Sequence, residues 1–292
     1  MEDNVKSNNL KIPKDINLPF FAYGILKPGE IAYSNIKELI DVKDEAVINY
    51  GMKHRDGVPI LLSKENEGAR TEGYVFHFNE NEEAYKIICQ TISNKLYEWG
   101  TINIKTEKVG TEKVKVNVLF GKKPDHGSNP IESESDRKSY TGKNDPLFKD
   151  GIQLIKNNLE SEHFNWECGF FKLQMNYMLL WSAIDRYCKL KYNKEKEHEN
   201  REELSKDKLF KEALCNFTKG QNYRPVYTTD DLTKREFDIN NPKDCINYYY
   251  TLRCNIVHRG KSSISDVSLL EQATKDLLNI FEYILKGTFN EE

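Results

Sequence analysis

The spacing of apolar residues changes once along this chain of 292 residues, and that change limits the folds open to it. Before residue 121, short runs such as FFAYGIL, EGYVFHF, YEWGTINIKTE and EKVKVNVLF alternate or end at turn formers, which predicts strands. After residue 146, apolar residues recur at helical spacing. We therefore expect an α+β protein, with a small mixed β-barrel over 1–122 and an all-α bundle of about four or five helices over 146–292.

The stretch between the two patterns, KKPDHGSNPIESESDRKSYTGKNDP, has no apolar periodicity and many turn formers. We interpret 123–145 as a linker between two domains. The alternative is a long functional loop within one domain, and loops of that length are uncommon.

Several shorter segments carry local predictions. In the first half, YSNIKELI and NEEAYKIICQTI have the spacing of helices. In the second half, NKEKEHENREELSKDK is expected to be a solvated face or a mobile loop, and YRPVYTTDDLTKREFDINNPKD an irregular stretch. Ser263 and Asp266 have the spacing of a capping box, which predicts the start of the last helix.

The composition is that of an ordinary globular protein, with 30% charged residues, 38% hydrophobic residues and a net charge of −3. Any affinity for phosphate must therefore come from a local patch. The six cysteines are dispersed, and we interpret them as buried free thiols of a reducing compartment. Neither a signal peptide nor an apolar run of about 18 residues is evident, so we expect a cytoplasmic protein without a membrane partner.

The segment LRCNIVHRGK, residues 252–261, places four cationic or titratable groups in an apolar helical stretch. A helix that only faces a core has no need of them, so an anionic ligand is expected. The arginine at 253 and the histidine at 258 follow a Tyr-rich stretch and precede a glycine.

This arrangement resembles the HEPN superfamily of helical domains, whose hallmark is an arginine, four to six residues and a histidine. YMLLWSAIDRYCKLKY is similar to the long second helix of those domains. The resemblance implies a metal-independent endoribonuclease that acts as a homodimer on RNA, without cofactor or metal. It implies acid/base work for His258 and phosphate contact for Arg253, while Asn255 would orient the imidazole or the phosphate and Arg259 and Lys261 would hold the substrate backbone.

Helical geometry restricts how this motif can work. Five residues rotate about 140° and rise about 7.5 Å along an ideal helix, so Arg253 and His258 do not face one side. Either the helix ends near Val257, or a second subunit completes each catalytic set. The structural alternative is that Arg253 pairs with an acidic neighbour and His258 caps a helix end.

The first half carries a second motif, Tyr-Gly-Ile-Leu at residues 23 to 26. It resembles the loop after the opening strand of the gamma-glutamyl cyclotransferase-like fold, where such a loop lines a small cavity. The resemblance implies a ligand pocket at Tyr23, Gly24, Ile25 and Leu26, with backbone amides suited to an anion. The alternative is a core strand followed by a turn.

One position departs from that family. Active members have a proton-shuttling glutamate at a position that falls near Ser93 in this chain. A serine cannot serve as a general base at neutral pH. We therefore expect an N-terminal domain that has lost this chemistry and keeps a pocket for a small molecule, an interaction surface for a protein regulator, or neither.

Together these features predict a metal-independent endoribonuclease, a defence, stress or toxin effector with an N-terminal sensing domain. The defence role is inferred only by association, from the proteins in which such domains usually occur. Two alternatives stay open: a non-catalytic adaptor that binds RNA, nucleotide or protein, and gamma-glutamyl cyclisation in the N-terminal domain. The histidines are dispersed without the spacing of metal ligands, so we predict no metal site.

Overall fold

The computed structural model describes residues 10–55, 57–105, 113–122, 141–160, 166–218, 223–227, 234–259 and 267–290. The protein is α+β, with a mixed sheet formed by N-terminal strands and with C-terminal helices, as predicted. Two compact units divide it, the first mainly Met1–Gly142 and the second Lys143–Lys189 with Lys194–Asn290. Among the described residues, no helix combines the length and apolar character that crossing a bilayer requires.

The described residues of the first unit form seven strands and one α-helix. They are β1 (Phe20–Ala22), β2 (Ile40–Ile48), β3 (Tyr50–Arg55), β4 (Val58–Glu65), β5 (Thr71–Phe78), α1 (Asn81–Thr91), β6 (Tyr97–Lys105) and β7 (Lys113–Gly121). Five strands form a sheet in the order β2-β5-β1-β7-β6, and β3 and β4 form a two-stranded sheet. The larger sheet is mixed because β1 runs antiparallel to β5 and parallel to β7.

Aromatic residues and one glycine explain how β1 sits in this sheet. Phe20 pairs with Phe76 in register, and its ring meets those of Tyr85 and Trp99 edge to face at 6.4 and 5.8 Å. At Gly73 of β5, a Cβ atom would lie 2.4 Å from the Ala22 carbonyl oxygen, so only glycine permits this strand spacing.

The helix predicted at YSNIKELI is wrong. Tyr33–Asn35 and Lys37–Leu39 form two short 3₁₀ turns, and β2 begins at Ile40. The Leu39 carbonyl accepts a hydrogen bond from the Asn79 amide at 3.1 Å, so pairing with the end of β5 draws the chain into the sheet. The helix predicted at NEEAYKIICQTI is confirmed as α1.

The second unit is mainly helical. Its helices are α2 (Ile152–Glu160), α3 (Trp166–Tyr192), α4 (Glu197–Lys206), α5 (Lys208–Phe217), α6 (Pro242–Arg259) and α7 (Val267–Asn290). Its core includes Tyr177, Trp181 and Tyr187 of α3, which are at most 1% exposed.

One prediction of irregular structure in this unit is wrong, because YRPVYTTDDLTKREFD contains the strands β8 (Tyr223–Tyr227) and β9 (Lys234–Asp238). Of the two alternatives for the charged insert, the loop is wrong, because the insert forms α4, which leaves most of its polar residues at least partly exposed. The strands pair antiparallel, so the expected all-α unit contains a small sheet. Val226 of β8 is buried, and an ion pair of 2.6 Å joins Arg224 to Asp276 of α7. These tertiary contacts stabilise the hairpin where local pattern does not predict it.

The prediction of uniformly buried thiols is also wrong. Cys89, Cys188 and Cys245 are buried, but Cys215 is exposed and Cys254 is partly exposed. Most of the predicted linker at 123–145, and the predicted capping box at Ser263 and Asp266, lie outside the described residues.

Candidate functional site

Helix α6 carries the arginine and histidine motif and is capped at its start. The Asn241 side chain accepts hydrogen bonds from the amides of Lys243 and Asp244 at 3.0 and 3.1 Å, with proline at the first helical position. The helix then continues through Arg259. The suggested helix end near Val257 is therefore wrong, and an unbroken helix separates Arg253 from position 258 by about 140°.

Arg253 lies beside a second arginine that the sequence pattern did not indicate. The guanidinium carbon of Arg201, on α4, lies 3.5 Å from the centre of the Tyr250 ring, and that of Arg253 lies 5.8 Å from the same centre. The stacking distance of Arg201 is that of a close cation–π contact. Glu197, one turn earlier on α4, approaches Arg201 at 3.5 Å.

An acidic residue of α3 completes this group. Burial raises the pKa of Asp185 to about 6; the nearby Glu197 carboxylate adds to the increase, and Arg253 and Arg201 oppose it. Arg253 thus has an acidic neighbour, as the structural alternative requires. We call Asp185, Glu197, Arg201, Tyr250 and Arg253 the arginine cluster.

The arginine cluster has unused hydrogen-bond donors. Nε of Arg253 and both Nε and Nη1 of Arg201 are buried and have no hydrogen-bond partner among the described residues. A buried donor without a partner typically costs about 1–3 kcal/mol. An anion that reached these groups would recover part of that cost.

Of the other predicted residues of the motif, Asn255 has a described side chain. Asn255 is 5% exposed and lines an apolar cavity; on an ideal helix it lies about 160° from Arg253, so the structure does not bring the two together. For His258 and Arg259 the structure describes the helical backbone alone. Lys261 lies outside the described residues.

The Tyr-Gly-Ile-Leu turn of the first unit is packed inside that unit. Tyr23, Ile25 and Leu26 are at most 6% exposed. The Tyr23 hydroxyl donates to the Leu119 carbonyl at 2.6 Å and accepts from the Leu61 amide at 3.1 Å. Gly24 has φ +66°, and a Cβ atom there would lie 2.4 Å from the Pro59 ring. These four residues therefore lie in the core, as a strand followed by a turn would.

A charged cavity of about 550 Å³ in the same unit begins at Lys27, directly after the turn. Burial lowers the pKa of Lys27, and Glu30 and Glu72 act in the opposite direction. The cavity combines cations with carboxylates, and its charged lining residues are Lys27, Glu45, Arg70, Glu72 and Lys105.

A buried carboxyl group lies close to Lys27. Glu30 is 5% exposed and accepts a hydrogen bond of 2.8 Å from the Gly142 amide. Burial raises its pKa from 4.5 to about 7, while that hydrogen bond and Lys27 act in the opposite direction. Ser93, by contrast, sits in a turn where its carbonyl accepts from the amides of Leu96 and Tyr97.

Three candidate functional residues belong to no motif in the sequence. Arg201 lies in a charge run, Asp185 is a single acid on an apolar helix, and Glu30 follows a Pro-Gly turn. Only tertiary neighbours distinguish Asp185 and Glu30. For Arg201 the sequence offers one signal, because the charge run around it also contains an apolar residue, Leu204, which is buried in the structure.

The similarity of this chain to known proteins is limited. No family profile matches the chain, and no curated protein matches it by sequence. An AIG2-like protein from Mus musculus is 14% identical with a TM-score of 0.34, covering 42% of this chain and 87% of that one. An uncharacterized protein from Pyrococcus horikoshii is 15% identical with a TM-score of 0.29, covering 49% of this chain and 99% of that one. A protein from Arabidopsis thaliana is 16% identical with a TM-score of 0.28, covering 50% and 87%.

These likenesses extend over half of this chain or less, and no activity is transferred from them. The resemblance to HEPN domains stays a prediction.

Proposed function

We propose that the C-terminal unit is a metal-independent endoribonuclease that acts as a homodimer. The observation that carries the proposal is the unbroken helix α6, which runs through both Arg253 and position 258. One chain cannot direct both positions to one phosphate from the same side of a helix, so a second copy is needed to complete each site.

The side of α6 between these two positions is suited to such a partner. On an ideal helix the arc of about 140° between positions 253 and 258 contains Tyr250, Cys254 and Val257. Val257 is 48% exposed although it is apolar, and Cys254 is partly exposed, while Arg201 of α4 covers one face of the Tyr250 ring. Two α6 helices that met along this arc, related by a two-fold axis, would bring Arg253 of each copy toward position 258 of the other.

The chemistry needs only these groups and the substrate. The RNA 2′-hydroxyl attacks the adjacent phosphorus after His258 removes its proton, and a bond to the 5′-oxygen of the next nucleotide breaks. That oxygen receives a proton from an imidazolium, which leaves a 2′,3′-cyclic phosphate and a 5′-hydroxyl. The Arg253 guanidinium stabilises the negative charge on the phosphoryl oxygens during the step.

The direct test is cleavage of purified RNA in the presence of EDTA. We expect products that end in 2′,3′-cyclic phosphate by mass spectrometry, and a loss of at least about 100-fold in rate for His258→Ala and Arg253→Ala. Arg235→Ala, at an exposed position of β9, is the matched control and should cleave normally.

Two results would contradict this proposal. Equal cleavage by wild type and both variants would contradict the catalytic roles of His258 and Arg253. Loss of cleavage on adding EDTA would indicate a metal-dependent enzyme. RNA binding that survives both substitutions without any product would favour the adaptor.

The charged cavity at Lys27 favours a second candidate, gamma-glutamyl cyclisation in the N-terminal unit. A gamma-glutamyl amine carries an ammonium group, which can pair with the carboxylates of the cavity, and a carboxylate, which can pair with its cations. Glu30, with a pKa of about 7, lies near Lys27 and could carry the proton from the attacking amine to the leaving one.

Release of 5-oxoproline from gamma-glutamyl amines, measured by chromatography, tests this candidate. We expect Lys27→Met and Glu30→Gln to lower the rate at least tenfold, while Lys113→Met at an exposed position of β7 does not. Absence of 5-oxoproline from the wild-type reaction would contradict it.

A further inference from the structure

An apolar cavity of about 210 Å³ lies within the C-terminal unit, on a different side of α6 from the arginine cluster. Its walls come from α3, α6 and α7 and from the β8–β9 hairpin. The apolar lining includes Phe170, Leu252, Ile256 and Leu270. An apolar cavity of about 150 Å³ already accommodates a benzene ring, so this one has room for a larger planar ring.

Three of the described lining residues have polar side chains. Gln174 of α3 and Asn255 of α6 each contribute a side-chain amide, and Lys234 of β9 adds an exposed cation. No carboxylate is among the described lining residues, although Glu236, outside the lining, approaches Lys234 at 3.5 Å. The lining therefore suits a neutral planar group attached to an anion.

We propose that this cavity binds a nucleobase, with a preference for adenine, and that Gln174 and Asn255 recognise its polar edge. A nucleobase has apolar faces for the walls and adjacent donors and acceptors for an amide, and Asn and Gln pair in this way with the N6 and N7 atoms of adenine. Lys234 would contact the phosphate of the same nucleotide.

The position of Asn255 connects this cavity to the proposed RNA site. It lies two residues from Arg253 and three from His258 on one rigid helix, within about 5 Å of rise from either. As a consequence, and resting on the proposed ribonuclease function, the cavity selects which base lies next to the cleaved bond. The binding itself requires neither Arg253 nor His258.

Calorimetric titration of the full-length His258→Ala protein with adenosine monophosphate tests this inference, because cleavage plays no part in it. We expect adenosine monophosphate to bind at least tenfold more tightly than ribose 5-phosphate or inorganic phosphate, and more tightly than uridine monophosphate. Ile256→Trp, which fills the cavity, should lower the affinity at least tenfold. The same change at Leu154, which is 52% exposed on α2, is the matched control and should not.

A second variant keeps the test valid if Ile256→Trp does not fold, as judged by thermal unfolding. Gln174→Leu keeps the size of the side chain and should reduce the preference for adenosine over uridine monophosphate. Equal affinity for adenosine monophosphate and ribose 5-phosphate, or unchanged binding by Ile256→Trp and Gln174→Leu, would overturn the inference. Failure of the ribonuclease proposal has a different signature, since nucleotide binding would persist while no RNA is cleaved.

Discussion

The two segments that the sequence marks as functional differ in how their polar groups are satisfied. The Tyr23 hydroxyl of the first unit finds both a donor and an acceptor within its own core. In the second unit, the Arg253 and Arg201 side chains bury N–H groups that make no hydrogen bond to the described residues, although Glu197 approaches Arg201 at 3.5 Å. An unpaired buried donor is costly, so these groups are candidates for contact with an anionic ligand. Similarity to a motif identifies a candidate residue, and its hydrogen-bond partners indicate whether the fold already satisfies it.

The largest expected effect is on stability and concerns Tyr23 of the first unit. Tyr23→Phe would leave the Leu119 carbonyl and the Leu61 amide without their buried partner, which should lower the free energy of unfolding by roughly 3 kcal/mol. Chemical denaturation measures it. RNA cleavage by the folded fraction should not change, since the residue has a structural role.

The control for that substitution is Tyr74→Phe. Its hydroxyl donates to Glu45 at 3.5 Å in an exposed position, so the expected change is below about 0.5 kcal/mol. If the two tyrosine variants lost stability equally, the structural role of Tyr23 would be wrong.

A smaller effect concerns Glu30, the buried carboxyl group of the first unit. Its pKa of about 7 in the folded protein exceeds its ordinary 4.5, so the folded state holds the proton more tightly than the unfolded state. Stability should therefore fall as pH rises between these values, by roughly 2–3 kcal/mol. Denaturation of wild type and Glu30→Gln at pH values on both sides of this window measures the effect. The variant should lose this part of the pH dependence, and an unchanged pH profile would contradict the assignment.

The smallest expected effect is on RNA affinity and concerns Asp185 of the second unit. Asp185 competes with an incoming phosphate for Arg253 and Arg201, so Asp185→Asn should tighten RNA binding about two- to fivefold. Fluorescence anisotropy with a 2′-deoxy strand, which cannot be cleaved, measures the affinity. The gain should shrink as salt is added. Asp150→Asn, at an exposed position, is the control, and equal changes in the two variants would refute a specific role for Asp185.

The local pattern of apolar residues is enough to predict the elements whose buried face follows that pattern. Strands β5, β6 and β7 and helix α1 were predicted because each alternates or repeats its apolar residues over its full length. Helix α4 and the β8–β9 hairpin were not predicted, because distant partners hold them in place: Tyr250 beneath Arg201, and Asp276 beside Arg224.

The candidate site divides in the same way. Arg253 could be identified from sequence because it belongs to a spaced motif on one helix. Arg201 and Asp185 could not, since they come from two other helices and meet Arg253 only in the folded unit. Asn255 was placed on the correct helix, but helical geometry directs it away from Arg253 and into the apolar cavity.

The central claim is that each ribonuclease site takes its arginine from one chain and its histidine from another. Mixing the Arg253→Ala and His258→Ala proteins under conditions that exchange subunits tests it most directly. With random exchange, half of the dimers are mixed and one of their two sites is intact, so we expect recovery of about one quarter of the wild-type rate from two inactive proteins. A mixture that stays as inactive as its components would contradict the shared site.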